Sequence, residues 1–394
     1  MKRIAVIFEG GIDNLTGLTN AVLARVKHLC EVSDFLVDVY NVLSYPFGLT
    51  RLFASRSKFE GMNTVRIDDI EIKMLWHRRI LLDDVLNFKL HTKPFILDTY
   101  LHQQISRFQH YDIISAHAFV GAKLAFFIHQ KYGIPFYVTW HGSDIHSIPQ
   151  SNQYQLKMTK LIIECATYNF FVSQNLMQQA KHITNHSRSM VLYNGVNPNF
   201  RRFSDTERQR LRKVHCLEHV KVVAFVGNLK PIKNVRSLPV IFNAVAHITN
   251  QQIQFWIIGA GEERKQLEVA FSSTTLDVKF WGHQPVEKMP ELMNCIDVLV
   301  LPSHNEGLPL VVAEAIKCGA NAVGSHVGGI PEVIGENNTI PLGDDFTEKM
   351  AQRIVYFLTH RESQAISSDF SWIETAKKEM EIYTKLMSTN SNPS

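Results

Sequence analysis

The sequence predicts two α/β domains, each built on a mostly parallel sheet with helices on both faces. With 394 residues, the chain exceeds one ordinary domain and fits two of roughly 190 residues each. Short apolar segments alternate with helical patterns in the first half, and the alternation restarts after a polar, turn-rich stretch. Glycines follow the apolar segments of the second half, at the strand ends where such sheets bind ligands.

The predicted elements of the first half are short apolar strands, each followed by a turn or a helical pattern. The strands cover residues 4–8, 35–42, 112–115, 136–140 and 169–172, and the helices cover 20–29 and 122–129. Residues 193–219 are polar and rich in turn signals, and they include a charged stretch at 205–213. We interpret them as the junction between the domains.

The second half repeats the pattern, with strands that mostly end at glycine. These strands cover residues 220–226, 255–258, 278–281, 298–301 and 320–323, and a last helix covers about 373–386. Because the carboxyl ends of parallel strands meet at one edge of a sheet, these turns are expected to lie together.

Composition excludes several classes of protein. The five cysteines are scattered without a C-x-x-C pair, which is typical of free thiols in a reducing compartment. No secretory leader is recognised, and no apolar run approaches the roughly 20 residues of a membrane-spanning helix. The net charge is only +4, with neither a strongly basic domain nor zinc-ligand spacing, so a nucleic-acid partner is not expected. These features predict a cytoplasmic protein.

One basic stretch leaves two interpretations open. Residues 73–82 combine Lys73, Arg78 and Arg79 with apolar and aromatic neighbours. Such a stretch can lie on an anionic membrane surface. The alternative, slightly favoured by the nearby acidic residues at 83 and 84, is a solvated face beside a core helix.

The most informative segment is 303–314, S-H-N-E-G-L-P-L-V-V-A-E. It follows the apolar strand 298–301 and leads into a helix predicted at 311–316, with Pro309 suited to the first helical turn. Free N–H groups at a helix start bind anions, and Glu306 and Glu314 can accept hydrogen bonds from hydroxyls. The same strand–turn–helix passage also occurs in α/β folds without such a site.

Together with other motifs, this segment resembles the GT-B glycosyltransferases, specifically the large retaining family four. The resemblance covers nearly the whole chain. Its motifs, in order, are H-G-S-D-I at 141–145, V-S-Q at 172–174, N-G-V-N at 194–197, F-V-G-N-L-K-P-I-K at 225–233, I-I-G-A-G at 257–261, F-W-G at 280–282, P-S-H-N-E-G-L-P-L-V-V-A-E-A at 302–315 and G-G-I-P-E at 328–332. It implies Rossmann-like domains at 1–200 and 215–370 that face each other across a cleft, with the last helix, 372–387, packing back on the first domain.

The resemblance also implies roles for single residues. Glu306 and His141 would contact the donor sugar, Glu314 the ribose hydroxyls and Lys233 the pyrophosphate, where a cation offsets the charge of the leaving group. Taken alone, Lys233 could equally be a solvated lysine at a helix start, and we interpret His117 as structural. The implied donor-binding residues are Gly10, Gly11, Gly17, Asn228, Gly259, Gly261, Gly307, Leu308, Pro309, Leu310 and Glu314. Thr16 and Thr19 are further candidate donors beside the first glycines.

Asn228 departs from the family pattern, which has arginine at this position. Asparagine can donate a hydrogen bond but has neither the charge nor the fork of a guanidinium. One of two cations at the leaving group is therefore missing, and Lys230 is the next cation in the loop.

The resemblance implies retaining transfer from a nucleoside-diphosphate sugar to a glycan or lipid-linked acceptor, in bacterial surface polysaccharide or glycolipid synthesis. Neither a cofactor nor a metal is expected, in agreement with the lack of a D-x-D triplet. Two alternatives stay open. One is a non-catalytic partner subunit that binds nucleotide sugar, which Asn228 favours. The other is a GT-B sugar-nucleotide epimerase.

Overall fold

The computed structural model describes residues 1–13, 17–48, 50, 57–80, 85, 94–360 and 362–390, with the backbone alone at 387–390. The chain forms two compact units. The first comprises Met1–Gly195 together with Ser371–Ser394, and the second comprises Val196–Phe370.

The first unit is built on an eight-stranded sheet in the order β3-β4-β2-β1-β5-β6-β7-β8. All neighbouring strands run parallel except β3, which pairs antiparallel with β4. The central strands are buried apolar segments, which is typical of a parallel sheet with both faces covered. The strands are β1 (Arg3–Phe8), β2 (Leu36–Pro46), β3 (Thr64–Ile67), β4 (Ile70–Arg79), β5 (Ile113–His117), β6 (Phe136–Trp140), β7 (Tyr168–Phe171) and β8 (Ser189–Val191).

Helices connect these strands. They are α1 (Gly17–Val32), α2 (Phe95–Gln104), α3 (Ala118–Tyr132), α4 (Ser143–His146), α5 (Ile148–Ser151), α6 (Gln153–Cys165) and α7 (Gln174–Ile183). Helix α3 lies close to β1 because Gly121 has no side chain; a Cβ there would stand 2.5 Å from the carbonyl oxygen of Ile7. Gly133 ends α3 in the left-handed conformation that suits glycine.

The second unit is built on a six-stranded parallel sheet in the order β11-β10-β9-β12-β13-β14. The strands are β9 (Lys221–Val226), β10 (Ile253–Ile258), β11 (Val278–Gly282), β12 (Val298–Leu301), β13 (Asn321–Ser325) and β14 (Thr339–Ile340). The helices are α8 (Asp205–Val214), α9 (Leu238–Ile248), α10 (Arg264–Ser272), α11 (Met289–Cys295), α12 (Leu310–Lys317), α13 (Ile330–Ile334) and α14 (Phe346–Thr359). β9 and β12 lie side by side at the centre of the sheet.

The last helix, α15 (Trp372–Asn390), belongs to the first unit and packs on α1. A buried ion pair joins the two helices, with Arg25 Nε 2.5 Å from Glu379 Oε2. The Tyr383 hydroxyl of α15 donates to Glu379 and is hydrogen-bonded to the Ser115 hydroxyl of β5 at 2.9 Å. The helix therefore contributes charged and polar groups to the interior of the first unit.

Two parallel-sheet units confirm the predicted fold class, and the boundary between them, at Gly195 and Val196, falls within the stretch 193–219 that was predicted as the junction. The charged part of that stretch, 205–213, lies in helix α8, where Ser204 and Glu207 form a capping box. One local interpretation was wrong. The stretch 73–82 does not flank a core helix: residues up to Arg79 form strand β4, and 81 and 82 lie outside the described residues. In β4, Lys73 pairs with Asp38 at 2.7 Å.

Candidate active site

The central feature of the second unit is an ion pair between two residues predicted for the site. Lys233 ends a 3-10 turn after β9, and Glu306 lies in the loop after β12. Lys233 Nζ and Glu306 Oε1 are 2.5 Å apart, with the side chains 23% and 10% exposed. Because β9 and β12 are neighbours in the sheet, their carboxyl ends bring these two residues together. Lys233 is thus a paired, mostly enclosed cation rather than a solvated lysine.

The hydroxyls of two buried serines hold Glu306 in place. Ser303 is fully buried, and its Oγ donates to Glu306 Oε1 at 2.7 Å. Ser325, at the end of β13, donates to the backbone oxygen of Ser303 at 2.5 Å. One oxygen of Glu306 therefore serves both Lys233 and Ser303, and no side-chain partner is recorded for the other within the described part of the chain.

The loop after Glu306 presents free amides at the start of α12. Pro309 precedes the helix, which begins at Leu310 rather than at Val311. Among the residues described, nothing accepts a hydrogen bond from the backbone N–H of Gly307, Leu308 or Leu310. These three residues are partly accessible, so their N–H groups and the partial positive charge of the helix start can bind an anion.

Glu314 lies in α12, about one turn beyond these amides. The surrounding protein withdraws its carboxyl from bulk water, which raises the pKa to about 7, although part of the side chain stays accessible. No hydrogen-bond partner of this carboxyl is found in the described ranges. An unpartnered carboxyl in such a place can accept hydrogen bonds from a ligand.

Gly259 and Gly261 follow β10 and let two loops approach each other closely. A Cβ on Gly259 would stand 1.9 Å from the carbonyl oxygen of Gly227, and one on Gly261 would stand 2.2 Å from that of Leu229. The backbone of Leu229 also exchanges hydrogen bonds with this loop. The two glycines thus hold the segment that carries Lys233, which is a packing reason for them; their contact with a nucleotide stays a prediction.

Asn228 and Lys230 stand in the same loop with exposed side chains. No acidic group pairs with Lys230 in the portion of the chain described, and the Asn228 side chain is likewise unpaired there. Lys233, whose charge Glu306 balances, and the free Lys230 are therefore the cations of this loop.

In the first unit, His141 follows β6 and contacts His117, the last residue of β5. His117 Nδ1 and His141 Nε2 are 3.1 Å apart. Burial, together with the Arg25 cation, lowers the pKa of His141 to about 3. Burial, followed by the charges of His141 and Arg25, lowers the pKa of His117 well below its ordinary value. Both imidazoles are therefore neutral at physiological pH.

Asp144 holds the backbone around His141. Its carboxylate accepts hydrogen bonds from the N–H of His141 at 2.9 Å and of Gly142 at 2.7 Å. Burial raises the pKa of Asp144 to about 6 despite these bonds. Neither Asp144 nor His117 was predicted for the site; the H-G-S-D spacing at 141–144 was the available signal for Asp144.

The turn after β1 contains Gly10 and Gly11 and is clamped by buried polar side chains. Asn41 of β2 exchanges two hydrogen bonds with the backbone of Gly10, at 3.1 and 2.9 Å. Thr19 donates to the carbonyl of Gly11 at 2.8 Å, so its hydroxyl supports the turn instead of standing free for a ligand. Gly17 begins α1 with open space around it, and Thr16 lies outside the described residues.

Taken separately, each unit carries polar groups at the carboxyl ends of its strands. The second unit offers a cation, free amides and two carboxyls, which suits a ligand with both phosphate and hydroxyl groups. The first unit offers a neutral histidine pair. None of the helices that the structure describes is long and apolar enough to cross a membrane.

Two family models match the chain. The model described as "Glycosyltransferase Family 4" matches residues 67–200, and the model described as "Glycosyl transferases group 1" matches residues 220–360. Together they span more than half of the chain.

Curated relatives are distant. An uncharacterized glycosyltransferase of Methanocaldococcus jannaschii is 23% identical over 82% of this chain and 92% of its own length. The putative teichuronic acid biosynthesis glycosyltransferase TuaC of Bacillus subtilis is 22% identical over 62% of this chain and 61% of its own. The N-acetyl-alpha-D-glucosaminyl L-malate synthase of Bacillus anthracis is 25% identical, over 60% and 62% respectively.

Solved structures match over almost the full length. Sucrose-phosphate synthase from Thermosynechococcus elongatus has a TM-score of 0.77 at 18% identity and covers 99% of this chain and 100% of its own. HepE of Anabaena, solved in complex with UDP, has a TM-score of 0.71 at 18% identity, with the same coverage. These likenesses support the GT-B fold. With both family models in sequence order on that fold, the chain belongs to the group 1, family 4 glycosyltransferases.

Proposed function

We propose that this glycosyltransferase moves a sugar from a nucleoside-diphosphate sugar to a glycan or lipid-linked acceptor with retention of anomeric configuration. The observation that carries the proposal is the position of Lys233 and Glu306 at neighbouring strand ends, 2.5 Å apart. The unpaired amides of Gly307, Leu308 and Leu310 follow Glu306 directly. A diphosphate needs positive charge and N–H donors, and a sugar needs hydroxyl acceptors.

The same geometry supplies the chemistry of departure. As the bond to the anomeric carbon breaks, negative charge grows on the diphosphate, where Lys233 and the amides of α12 stabilise it. Glu306 accepts hydrogen bonds from the sugar, and Glu314 from the ribose. Retention by front-face attack lets the departing diphosphate take the acceptor's proton, so the protein need not supply a base. We propose that no metal takes part, because these groups do the work that a metal does elsewhere.

Two relatives support a donor and a pathway of this kind. HepE of Anabaena was solved in complex with UDP-glucose. The Bacillus subtilis relative is named for teichuronic acid biosynthesis, which supports a surface-polymer acceptor. We therefore propose a nucleotide sugar as donor, with the uridine nucleotides first in any panel.

Release of nucleoside diphosphate from a panel of UDP-, GDP- and ADP-sugars tests the proposal. Transfer should require an acceptor, persist with excess EDTA and give a product with the anomeric configuration of the donor, read by proton NMR. Nucleotide binding without transfer to any acceptor would support the partner-subunit alternative. Acceptor-independent conversion of one sugar nucleotide into another would support an epimerase.

Glu314→Ala is expected to weaken binding of the bare nucleoside diphosphate by about 1.5–3 kcal/mol, the range for hydrogen bonds to charged groups. The reason is the loss of the carboxylate that accepts from the ribose. Calorimetry on a folded variant measures it. Glu218→Ala, at an exposed position before β9 and so at the opposite end of the sheet, is the matched control and should leave the affinity unchanged. An unchanged nucleotide affinity in Glu314→Ala would contradict the assignment of Glu314 to the ribose.

The same carboxyl predicts a pH dependence. The pKa of Glu314 is about 7 in the free protein, so below that pH the group is largely protonated and is a weaker acceptor. Nucleotide affinity should therefore rise between about pH 6 and about pH 8. The glutamine of Glu314→Gln does not titrate, so the pH dependence of nucleotide affinity in this variant still contains the titration of the phosphates. Subtracting it from the wild-type profile leaves the effect of Glu314. Parallel profiles for the two proteins would contradict this role.

We propose that the protein works on the cytoplasmic side, where its five free cysteines fit a reducing environment, and that it contacts an anionic membrane weakly. Arg78 and Arg79 end β4, and the exposed Phe47 lies under the Arg78 guanidinium at 4.6 Å. Well-placed cations contribute about 1 kcal/mol each near such a surface.

Sedimentation with phosphatidylglycerol liposomes should show binding at low salt that is lost at high salt. Protein left in the supernatant at low salt would mean a soluble acceptor or a partner.

A further inference from the structure

His117 and His141 share one face of the first-unit sheet. β5 and β6 are parallel neighbours in which His117 pairs with Thr139. Since side chains alternate along a strand, His141, two residues after Thr139, points to the same side as His117. The contact between His117 Nδ1 and His141 Nε2, 3.1 Å long, follows from this register.

The contact between the two histidines occupies one particular nitrogen of each ring. A neutral imidazole carries one N–H and one lone pair, so a hydrogen bond between two neutral rings uses one nitrogen of each. His141 uses Nε2, and its Nδ1 is left as the ring atom that can meet a ligand. The tautomer of His141 is then set by the direction of the bond to His117.

Groups beneath the pair keep it neutral. Ser115 lies two residues before His117 on the same face of β5, and its hydroxyl is hydrogen-bonded to that of Tyr383. Glu379 pairs with Arg25 in the same layer, where both side chains are almost completely buried, at 2% and 1% exposed. Burial is the largest cause of the lowered pKa of each histidine, and the Arg25 cation adds to it. A charged, doubly donating His141 is therefore excluded at physiological pH.

We infer that His117 is a positioning residue: it fixes the ring and tautomer of His141 so that Nδ1, and not Nε2, meets the substrate. This inference rests on the proposed function for the identity of that substrate, the donor sugar. It assigns to His117 a role beyond the structural one that we expected from the sequence.

Paired amide substitutions test which nitrogen each ring uses. The amide of asparagine reaches the position of Nδ1, and that of glutamine reaches the position of Nε2. His117→Asn should keep the bond to His141 and stay within a few-fold of the wild type, whereas His117→Gln and His117→Ala should lose about ten-fold or more in kcat. His141→Asn should have a higher kcat than His141→Gln, because the asparagine amide reaches the position of Nδ1, the atom that we infer meets the substrate. The exposed His110, changed to Asn, is the control and should have no effect.

A second readout does not depend on activity. Nitrogen-15 NMR of histidine-labelled protein reports the tautomer, and the His141 signals are identified by their loss in His141→Gln. The wild type and His117→Asn should show one tautomer, whereas His117→Ala should show an average of two. A mixed tautomer in the wild type, or a single unchanged tautomer in His117→Ala, would overturn the inference.

The two readouts separate the inference from the proposed function. The wild type could transfer no sugar from any donor and yet show one His141 tautomer, with an average of two in His117→Ala. That result would defeat the proposed function and leave the positioning contact established. An active wild type whose kcat is the same in His117→Asn, His117→Gln and His117→Ala would defeat the inference alone.

Discussion

Lys233→Ala is expected to lower turnover by about a hundred-fold or more while the protein stays folded. Lys233 is the cation next to Glu306, beside the free amides of α12, so its loss removes charge stabilisation from the departing diphosphate. The variant leaves Glu306 without its cation, but Ser303 still donates to it. The measurement is initial-rate transfer with the native donor, with circular dichroism to confirm folding.

Two variants in the same loop sharpen the result. Lys230→Ala removes the other cation of this loop, which has no acidic partner in the described residues, and a loss of rate in this variant would show that Lys230 replaces the missing arginine. Asn228→Arg adds a charged fork where the family has arginine, and it should leave the enzyme active or speed it. A slower Asn228→Arg would mean that Asn228 contacts the donor or acceptor. Wild-type rates equal to those of Lys233→Ala, for every donor and acceptor, would mean a protein that binds without catalysing.

Glu379→Ala is expected to destabilise the first unit by about 3–5 kcal/mol, the effect of leaving one partner of a buried ion pair alone. Arg25 is 2% exposed, and Glu379 is its acidic partner at 2.5 Å. The substitution also removes an acceptor of the Tyr383 hydroxyl. Urea unfolding followed by fluorescence measures the change, with the midpoint of each unit analysed separately.

The matched comparison replaces both charges. Arg25→Met combined with Glu379→Met removes both charges of this buried pair and should recover much of the lost stability, because apolar residues of similar volume often replace a buried pair without loss. Glu374→Ala, at an exposed pair on the same helix, should change stability by less than about 1 kcal/mol. A single Glu379→Ala variant as stable as the wild type would show that Arg25 finds water or another partner.

Elements whose residues carry a clear local pattern of their own could be predicted from the sequence. Strand β12 was predicted at its observed bounds, since four consecutive buried aliphatic residues between turn signals leave little alternative. Helix α8 was missed because none of its residues is buried, so the apolar period that identifies a helix is lacking. Its one local signal was the capping box at Ser204 and Glu207. The hairpin of β3 and β4 was missed although Ile70, Ile72 and Met74 alternate with Glu71 and Lys73, because the basic residues that follow were interpreted as a solvated face beside a helix.

The candidate site divides in the same way. Lys233 and Glu306 could be named from local motifs, but their ion pair depends on β9 and β12 being neighbours, which sequence order alone does not give. His117 was interpreted as structural because a lone histidine carries no signal until the register of β5 and β6 places it against His141. Arg25 and Glu379 lie 354 positions apart, so their pairing was beyond any pattern in the chain.

The ion pair of Lys233 and Glu306 gives the lysine a counter-ion within the protein. On the proposed function, an incoming diphosphate would compete with that carboxylate for the lysine, so the affinity measured for a nucleotide would be the difference between two ion pairs rather than the strength of one. Glu306 would pair with Lys233 again when the product leaves. A competitor of this kind within the protein would favour rapid exchange of the spent nucleotide for a fresh donor, at the expense of tight binding.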